Sequence, residues 1–159
     1  MPRRGSAKPK KIVPDPIYKN KVVAKLINRS MRDGKKSVAQ KQVYGAFEII
    51  KEKTNDDPIK LFSRALDNIK PSMEVRPRRV GGATYQIPLP VRGSRRESLG
   101  IRWLIAAARA RSNSEYHTFA EKLSAEIMDA TSGEGGAVKK KIGMERMAEA
   151  NRAFAHFRW

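Results

Sequence analysis

The sequence contains no cysteine and no long apolar run, and each absence excludes some classes of protein. Without cysteine the chain has no disulfide, no thiol nucleophile and no thiolate metal ligand. No apolar run approaches the roughly 18 residues that a membrane span needs. The N-terminal stretch MPRRGSAKPKKIVPDP is basic and contains prolines but no apolar segment, so it is not typical of a signal peptide. An organellar transit peptide would be richer in serine and amphipathic, so we expect a cytoplasmic protein.

Histidine is also scarce, since His117 and His156 are the only two. His117 lies four residues before Glu121 on a predicted helix, where we expect an exposed side chain rather than a catalytic base. The sequence contains neither HExxH, nor the phosphate-loop pattern GxxxxGKS/T, nor GxGxxG. Asp56 and Asp57 are explained by helix capping. We therefore predict that the chain is not an enzyme and binds no cofactor or metal.

Acidic residues are few relative to basic ones. The chain has 34 Lys and Arg against 16 Asp and Glu, a net charge of +18 at pH 7. Residues 1–36 carry a net charge of +10 and residues 71–111 carry +7, where all nine basic residues are arginine. This excess predicts a nucleic-acid or anionic-membrane partner. The two blocks form one binding face only if the fold brings them together, and a uniformly solvated basic surface is the alternative.

The stretch from 73 to 92, MEVRPRRVGGATYQIPLPVR, predicts a β-hairpin. Gly81-Gly82 suits the centre of a type I′ turn, where both residues need positive φ. The register that follows pairs Val80 with Ala83, Arg78 with Tyr85, Arg76 with Ile87 and Glu74 with Leu89. Neither face is apolar throughout and three prolines suit free edges, so we expect the hairpin to protrude without a core beneath it and without a third strand. Its arginines favour a polyanion as partner, with Tyr85 stacked on a base or ribose.

Helical periodicity dominates the rest of the chain, from residues 20–33 to a last helix starting near Ala137. We predict a mainly α fold, a six-helix bundle with a protruding two-stranded β-hairpin between helices three and four. Residues 1–16 form a basic flexible arm, because they cannot bury enough apolar area to fold alone. Residues 17–159 form a single helical domain, with the hairpin arm at 73–92 and a C-terminal helix and tail at 137–159. We expect Trp103 in the core.

Helix boundaries follow from capping signals. In chain order these are Gly34 for the end of the first helix, Asp57-Pro58 for the start of the third, Lys70-Pro71 for its end, a Ser94–Glu97 capping box for the fourth and Ser114 for the start of the fifth.

Four long stretches resemble one protein family. They are DPIYKNKVVAKLINRSMRDGKKSVA, RRVGGATYQIP, IRWLIAAARAR and GGAVKKKIGMERMAEANRAFAHFRW, and the likeness extends from Arg3 to Trp159. The family is that of the seventh protein of the small ribosomal subunit, bacterial type. The sequence departs from the residues usual in the family at Pro90, Gly93, Phe157 and the run IGMER. These departures affect what the resemblance implies only for the base of the hairpin and for the contacts of the final helix.

The resemblance implies a structural role in the ribosome. It implies that the chain binds the 3′ major domain of small-subunit ribosomal RNA as a primary binder and nucleates assembly of the head. It also implies that the hairpin lies near exit-site tRNA and mRNA. The final helix would neighbour small-subunit protein eleven, with protein nine as another neighbour.

The charge pattern and the resemblance together predict the ribosomal RNA contacts, and the resemblance implies which residues lie near tRNA or mRNA. The expected ribosomal RNA contacts are Arg3, Arg4, Lys8, Lys10, Lys11, Lys21, Lys25, Arg29, Lys35, Lys36, Arg76, Arg78, Arg79, Arg92, Arg95, Arg96, Arg102 and Arg109. The residues expected near tRNA or mRNA are Val80, Gly81, Gly82, Thr84, Tyr85 and Arg146.

Two other classes compete with this interpretation. A free architectural DNA-binding protein with a hairpin arm would have a similar composition. The absence of helix-turn-helix spacing, and the suitability of scattered basic arms for the irregular surface of folded RNA, favour RNA. A membrane-surface protein using the first helix is disfavoured, because the opposite side of that helix is needed for the core.

Overall fold

The structure is a computed structural model that describes Gly5 and residues 12–158. Within these residues it contains six α-helices, a two-stranded antiparallel sheet and a C-terminal 3-10 helix. In chain order they are α1 (Lys21–Ser30), α2 (Lys36–Thr54), α3 (Pro58–Ile69), β1 (Met73–Val80), β2 (Ala83–Pro90), α4 (Gly93–Ala110), α5 (Phe119–Thr131), α6 (Gly135–Ala150) and the 3-10 helix (Arg152–Arg158). The predicted fold class, mainly α with a hairpin between the third and fourth helices, is confirmed.

The helical core is arranged around α5, which packs against α2, α3, α4 and α6. Leu123 and Ile127 of α5 are fully buried. Phe47 of α2 and Phe62 of α3 are buried as well, with ring centroids 5.8 Å apart. Trp103 is 8% exposed, which confirms its prediction as a core residue. Among the described helices none has the length and apolar character needed to cross a membrane.

The hairpin has the register that the sequence predicts. β1 and β2 are antiparallel, and the pairs run from Val80 opposite Ala83 to Met73 opposite Pro90. Gly81 and Gly82 have φ values of 56° and 91°, the left-handed conformation that a type I′ turn requires. The two strands form the whole sheet within the described residues. A two-residue loop therefore fixes every cross-strand pair.

The base of the hairpin does have a core beneath it, so the contrary expectation is wrong. Ile87 is 2% exposed and Pro88 is buried. β1 packs against α6 and β2 packs against the 3-10 helix. Alternation within the hairpin does not reveal this, because the covering elements come from the far end of the chain. All four residues of the tip, 81–84, are exposed.

Both predicted boundaries of α3 are confirmed. The Asp57 side chain accepts a hydrogen bond from the backbone N–H of Ile59, and Pro58 is the first helical residue. Lys70 is the C-cap, with extended backbone, as its position before proline favours.

The predicted end of α1 and the predicted start of α6 need correction. α1 ends at Ser30 rather than beside Gly34, because Met31 already has a non-helical ψ of 138°. Gly34 does have a positive φ of 73°, but it lies within the turn that leads to α2. α6 begins at Gly135, two residues before the predicted start at Ala137.

The predicted capping box of α4 is wrong. α4 begins at Gly93, with Arg92 as N-cap and no side-chain hydrogen bond at the cap. Glu97 does not bind the backbone near Ser94 but accepts a hydrogen bond of 3.0 Å from Lys25 Nζ in α1. A tertiary contact has therefore replaced the local one.

α5 begins later than predicted. Its capping box consists of Thr118 and Glu121, each side chain bonding the backbone of the other. Ser114 and His117 thus precede the helix, so the prediction of Ser114 as cap and of His117 on the helix is wrong. The His117 backbone N–H donates to the Glu121 carboxylate at 2.8 Å.

Candidate nucleic-acid interface

The two basic blocks of the sequence meet where α1 packs against α4. Lys25 Nζ of α1 lies 3.0 Å from Glu97 Oε1 of α4. Arg109 Nη2 near the end of α4 donates a hydrogen bond of 2.9 Å to the carbonyl of Ser30 at the end of α1. Arg102 lies seven residues before Arg109, on the same side of α4. We call this surface the basic face, and its residues are Lys21, Lys25, Arg29, Arg32, Arg102 and Arg109.

Positive charge is concentrated around Arg109. Burial lowers the pKa of its guanidinium below the ordinary value, and the charges of Arg32 and Arg29 lower it further. The guanidinium carbon also lies 6.0 Å from the ring centroid of Phe119, within the range of a cation–π contact. A guanidinium group with two further arginine charges near it is a natural site for an anionic partner.

A second arginine cluster adjoins the basic face at the base of the hairpin. Arg76 of β1 and Arg95 of α4 both bind the carboxylate of Glu74. Ser94 lines the cleft beside this cluster and also the groove that contains Lys25 and Arg29. The two basic surfaces are therefore continuous across the start of α4.

The remaining predicted contacts divide between this region and others. Lys35 and Lys36 are exposed in the turn before α2 and at its start, and the Lys35 N–H donates to the Arg32 carbonyl at 2.9 Å. Arg96 is turned toward α6, where its charge lowers the pKa of Glu145. Arg79 of β1 and Arg146 of α6 are exposed. The predicted contacts Arg3, Arg4, Lys8, Lys10 and Lys11 lie outside the described residues.

The chain enters the fold beside the basic face. Asp15 is 3% exposed; its carboxylate accepts hydrogen bonds from the backbone of Ile17 and Tyr18 and one of 2.7 Å from the Tyr44 hydroxyl. Ile12 lines the same groove as Lys25. Ile12, where the continuously described chain begins, therefore lies at the groove between α1 and α4.

Near the tip of the hairpin, the Tyr85 ring is packed against the 3-10 helix. Its centroid lies 5.1 Å from that of Phe154 and 5.4 Å from that of Phe157. Arg78 Nη1 donates a hydrogen bond of 3.2 Å to the Phe157 carbonyl. Tyr85 is therefore half-buried rather than free, while Thr84 beyond it is exposed. Stacking of Tyr85 on a base or ribose stays a prediction.

Three residues of this surface were absent from the predicted set. Arg32 joins the Arg109 cluster, Arg158 lines the cleft at the base of the hairpin, and Glu74 binds two arginines. Glu74 and Glu97 are the two acidic residues in the arginine-rich block 71–111. Their position among nine arginines could have been used to predict them as ion-pair partners, because an acidic side chain there has many basic side chains near it in sequence.

Metal ligands form no cluster in the described part of the chain, where no three His, Asp or Glu side chains are grouped to hold an ion.

Fold and surface together define the class: a small, strongly basic helical protein with an arginine-rich hairpin beside its basic face. The family model for ribosomal protein S7p/S5e matches residues 2–152. The chain therefore belongs to this family, in its bacterial type, and is a structural protein of the small ribosomal subunit.

Individual relatives match over their full length. Small ribosomal subunit protein uS7 of Caldicellulosiruptor saccharolyticus is 63% identical over 159 residues, covering 100% of both chains. The proteins of the same name from Thermoanaerobacter pseudethanolicus and Acetivibrio thermocellus are 59% and 58% identical, again over 100% of both chains.

Proposed function

We propose that this chain is a primary binder of the 3′ major domain of small-subunit ribosomal RNA and that it nucleates assembly of the head of the subunit. The basic face and the N-terminal arm anchor it to the RNA. The tip of the hairpin lies near exit-site tRNA and mRNA. The protein acts without catalysing a reaction, in the cytoplasm.

The observation that carries the proposal is the meeting of α1 and α4. Two basic blocks that are far apart in sequence form one surface, and Ile12, which follows the basic N-terminal segment in the sequence, lines the groove beside it. The charges of Arg29 and Arg32 act unfavourably on that of Arg109 there, and a polyanion relieves this repulsion by neutralising the cluster. Such contacts to phosphates give affinity and fix orientation.

Folded RNA suits this surface better than duplex DNA. The wide, shallow minor groove and irregular junctions of RNA are recognised by shape and by phosphate contacts spread over a surface. The basic face consists of the side of one helix, a turn and the side of a second helix, and none of these elements projects as a recognition helix.

The hairpin and α6 support the remaining parts of the proposal. Residues 81–84 at the tip are exposed and carry little that reads a base, which suits proximity to a passing tRNA or mRNA rather than anchoring. Ile142 and Met147 of α6 are 48% and 50% exposed, and we propose that α6 neighbours small-subunit protein eleven. Protein nine is the other proposed neighbour.

The test compares two variants that lose the same charge. The first replaces Lys21, Arg29, Arg32 and Arg102 of the basic face with alanine. The control replaces Lys51 and Lys53 of α2 and Lys60 and Arg64 of α3, which are equally exposed but lie outside the basic face. Binding of the purified proteins to a transcript of the 3′ major domain is measured across a range of salt concentrations.

The basic-face variant should lose affinity and flatten the salt dependence by about 3 in slope, at about 0.7 per phosphate contact. The control should keep most of the affinity and slope. Equal losses would show that only net charge matters. A wild-type protein that binds duplex DNA as tightly as the transcript would favour an architectural DNA-binding protein instead.

A further inference from the structure

Glu74 is a buried carboxylate in a stretch otherwise dominated by arginine. Its side chain is 8% exposed, at the start of β1. A buried carboxylate is unfavourable unless it is paired and hydrogen-bonded. Glu74 meets this requirement through two arginines from different elements, Arg76 on its own strand and Arg95 in the first turn of α4.

The geometry leaves both arginines able to bind a second anion. Arg95 uses only its Nε, which lies 2.9 and 2.7 Å from the two carboxylate oxygens of Glu74. Arg76 places Nε and Nη2 2.7 and 2.6 Å from Oε1. Each guanidinium has five N–H donors, and the side chains of Arg76 and Arg95 are 53% and 48% exposed. Glu74 therefore holds one edge of each guanidinium while other donors remain accessible.

Two further arginines complete the cluster. Arg92, which precedes α4, and Arg158, in the 3-10 helix, line the same cleft as Arg76 and Arg95. Both are exposed, and no ion pair found among the described residues uses them. Four arginines and one glutamate thus line the cleft, so the cleft keeps a positive charge that Glu74 does not neutralise. Planar guanidinium groups match the oxygens of a phosphate.

We infer that Glu74 is a positioning residue that arranges Arg76 and Arg95, beside Arg92 and Arg158, as a site for a phosphodiester group of RNA. The inference rests on the proposed function, because it takes the chain to bind RNA. Without the Glu74 carboxylate the arginines repel one another and turn separately into solvent. The pre-arranged cluster would then be lost although every arginine is still present.

The substitution Glu74→Gln tests the inference through the sign of its effect. If charge alone matters, removal of a negative charge from a basic surface tightens RNA binding. If Glu74 positions the arginines, the same substitution weakens binding, by about tenfold if one charge-assisted contact pair is lost. The salt dependence should become shallower by about 0.7 in slope, which corresponds to one phosphate contact. Unchanged or tighter binding would overturn the inference.

A matched control and a double-mutant cycle exclude other causes. Glu149→Gln removes a glutamate that also pairs with an arginine, Arg152, but lies outside the basic face and the cleft, and should leave affinity unchanged or tighter. In a protein that already carries Arg76→Ala and Arg95→Ala, Glu74→Gln should cause no further loss of affinity. A continued loss in that background would point to general destabilisation and contradict a positioning role.

A third variant covers the case in which Glu74→Gln fails to fold. Arg95→Lys keeps the charge but cannot present further planar donors while one donor binds Glu74. It should weaken binding to the 3′ major domain transcript, and unaltered affinity would overturn the inference. A wild-type protein that does not bind the transcript refutes the proposed function itself. Wild-type binding with no loss in any of these variants refutes only the role of Glu74.

Discussion

Tyr85 of the hairpin and Phe157 of the C-terminal 3-10 helix stack with ring centroids 5.4 Å apart and planes inclined by 31°. The Arg78 side chain donates a hydrogen bond to the Phe157 carbonyl beside this stack. The end of the chain thus holds the outer part of the hairpin, which a two-stranded sheet alone would support poorly in water. Order in the hairpin therefore depends on residues that are distant from it in sequence.

Replacing Phe154 and Phe157 with alanine should loosen the outer half of the hairpin. Each aromatic pair with Tyr85 contributes about 0.5–1.5 kcal/mol beyond its buried area. Hydrogen exchange of the backbone amides in residues 78–85 should therefore become faster. Arg152→Ala, at an exposed position of the same helix, should leave the exchange rates near those of the wild type. Unchanged rates in the double variant would show that the hairpin is ordered without the 3-10 helix.

The base of the hairpin should contribute to global stability. Ile87 is 2% exposed, and truncation of a buried isoleucine to alanine costs about 2–5 kcal/mol. Gln86→Ala, at the neighbouring exposed position, should change the free energy of unfolding by less than about 0.5 kcal/mol. Urea denaturation measures both. If Ile87→Ala lowered the free energy of unfolding as little as Gln86→Ala does, the hairpin would have no core beneath it, as the sequence alone suggested.

Features set by adjacent residues could be predicted from the sequence. Gly81-Gly82 determined the complete register, because a two-residue turn leaves no freedom in pairing. Asp57-Pro58 gave the start of α3, because a capping side chain and a proline at the first helical position act on the adjacent backbone. The pattern Thr118-x-x-Glu121 carried the signal for α5 but was missed, since Ser114 offered a competing cap a few residues earlier.

Features set by distant residues could not be predicted. Ser94 and Glu97 have the spacing of a capping box, yet Glu97 binds Lys25, which is 72 residues away. The partners of Tyr85 come from the end of the chain, and no periodicity within the hairpin points to them. The basic blocks were visible in the sequence, but only the packing of α1 against α4 shows which of their residues share a surface.

Acidification should weaken the contact between α6 and the segment before β1. Burial raises the pKa of Glu145, but hydrogen bonds from the Ser72 backbone and hydroxyl, with the charges of Lys141 and Arg96, outweigh it and leave the pKa below the ordinary value. A carboxyl whose pKa is lowered by folding stabilises the protein above its unfolded-state pKa, and this contribution is lost as the pH falls through the folded-state pKa.

The melting midpoint should therefore depend less on pH in Glu145→Gln than in the wild type, between about pH 6 and pH 3. Glu149→Gln, at an exposed position of α6, serves as the control and should follow the wild-type curve. Identical pH curves for all three proteins would show that Glu145 makes no such contribution.

Trimming residues 80–83 to a shorter turn should separate the role of the hairpin tip from that of the basic face. Glycine at 81 and 82 leaves open space, since a Cβ at either position would meet no atom within 4 Å. The trim should change the affinity for the isolated 3′ major domain by less than about 1 kcal/mol, the scale of one modest contact. In assembled subunits it should alter exit-site tRNA retention or reading-frame maintenance, because the tip reaches beyond the anchoring surface.

The four-alanine variant of the basic face should do the opposite, weakening assembly and leaving exit-site behaviour normal in the subunits that form. Loss of RNA binding on trimming, or translation unaffected in every respect, would contradict this division of roles.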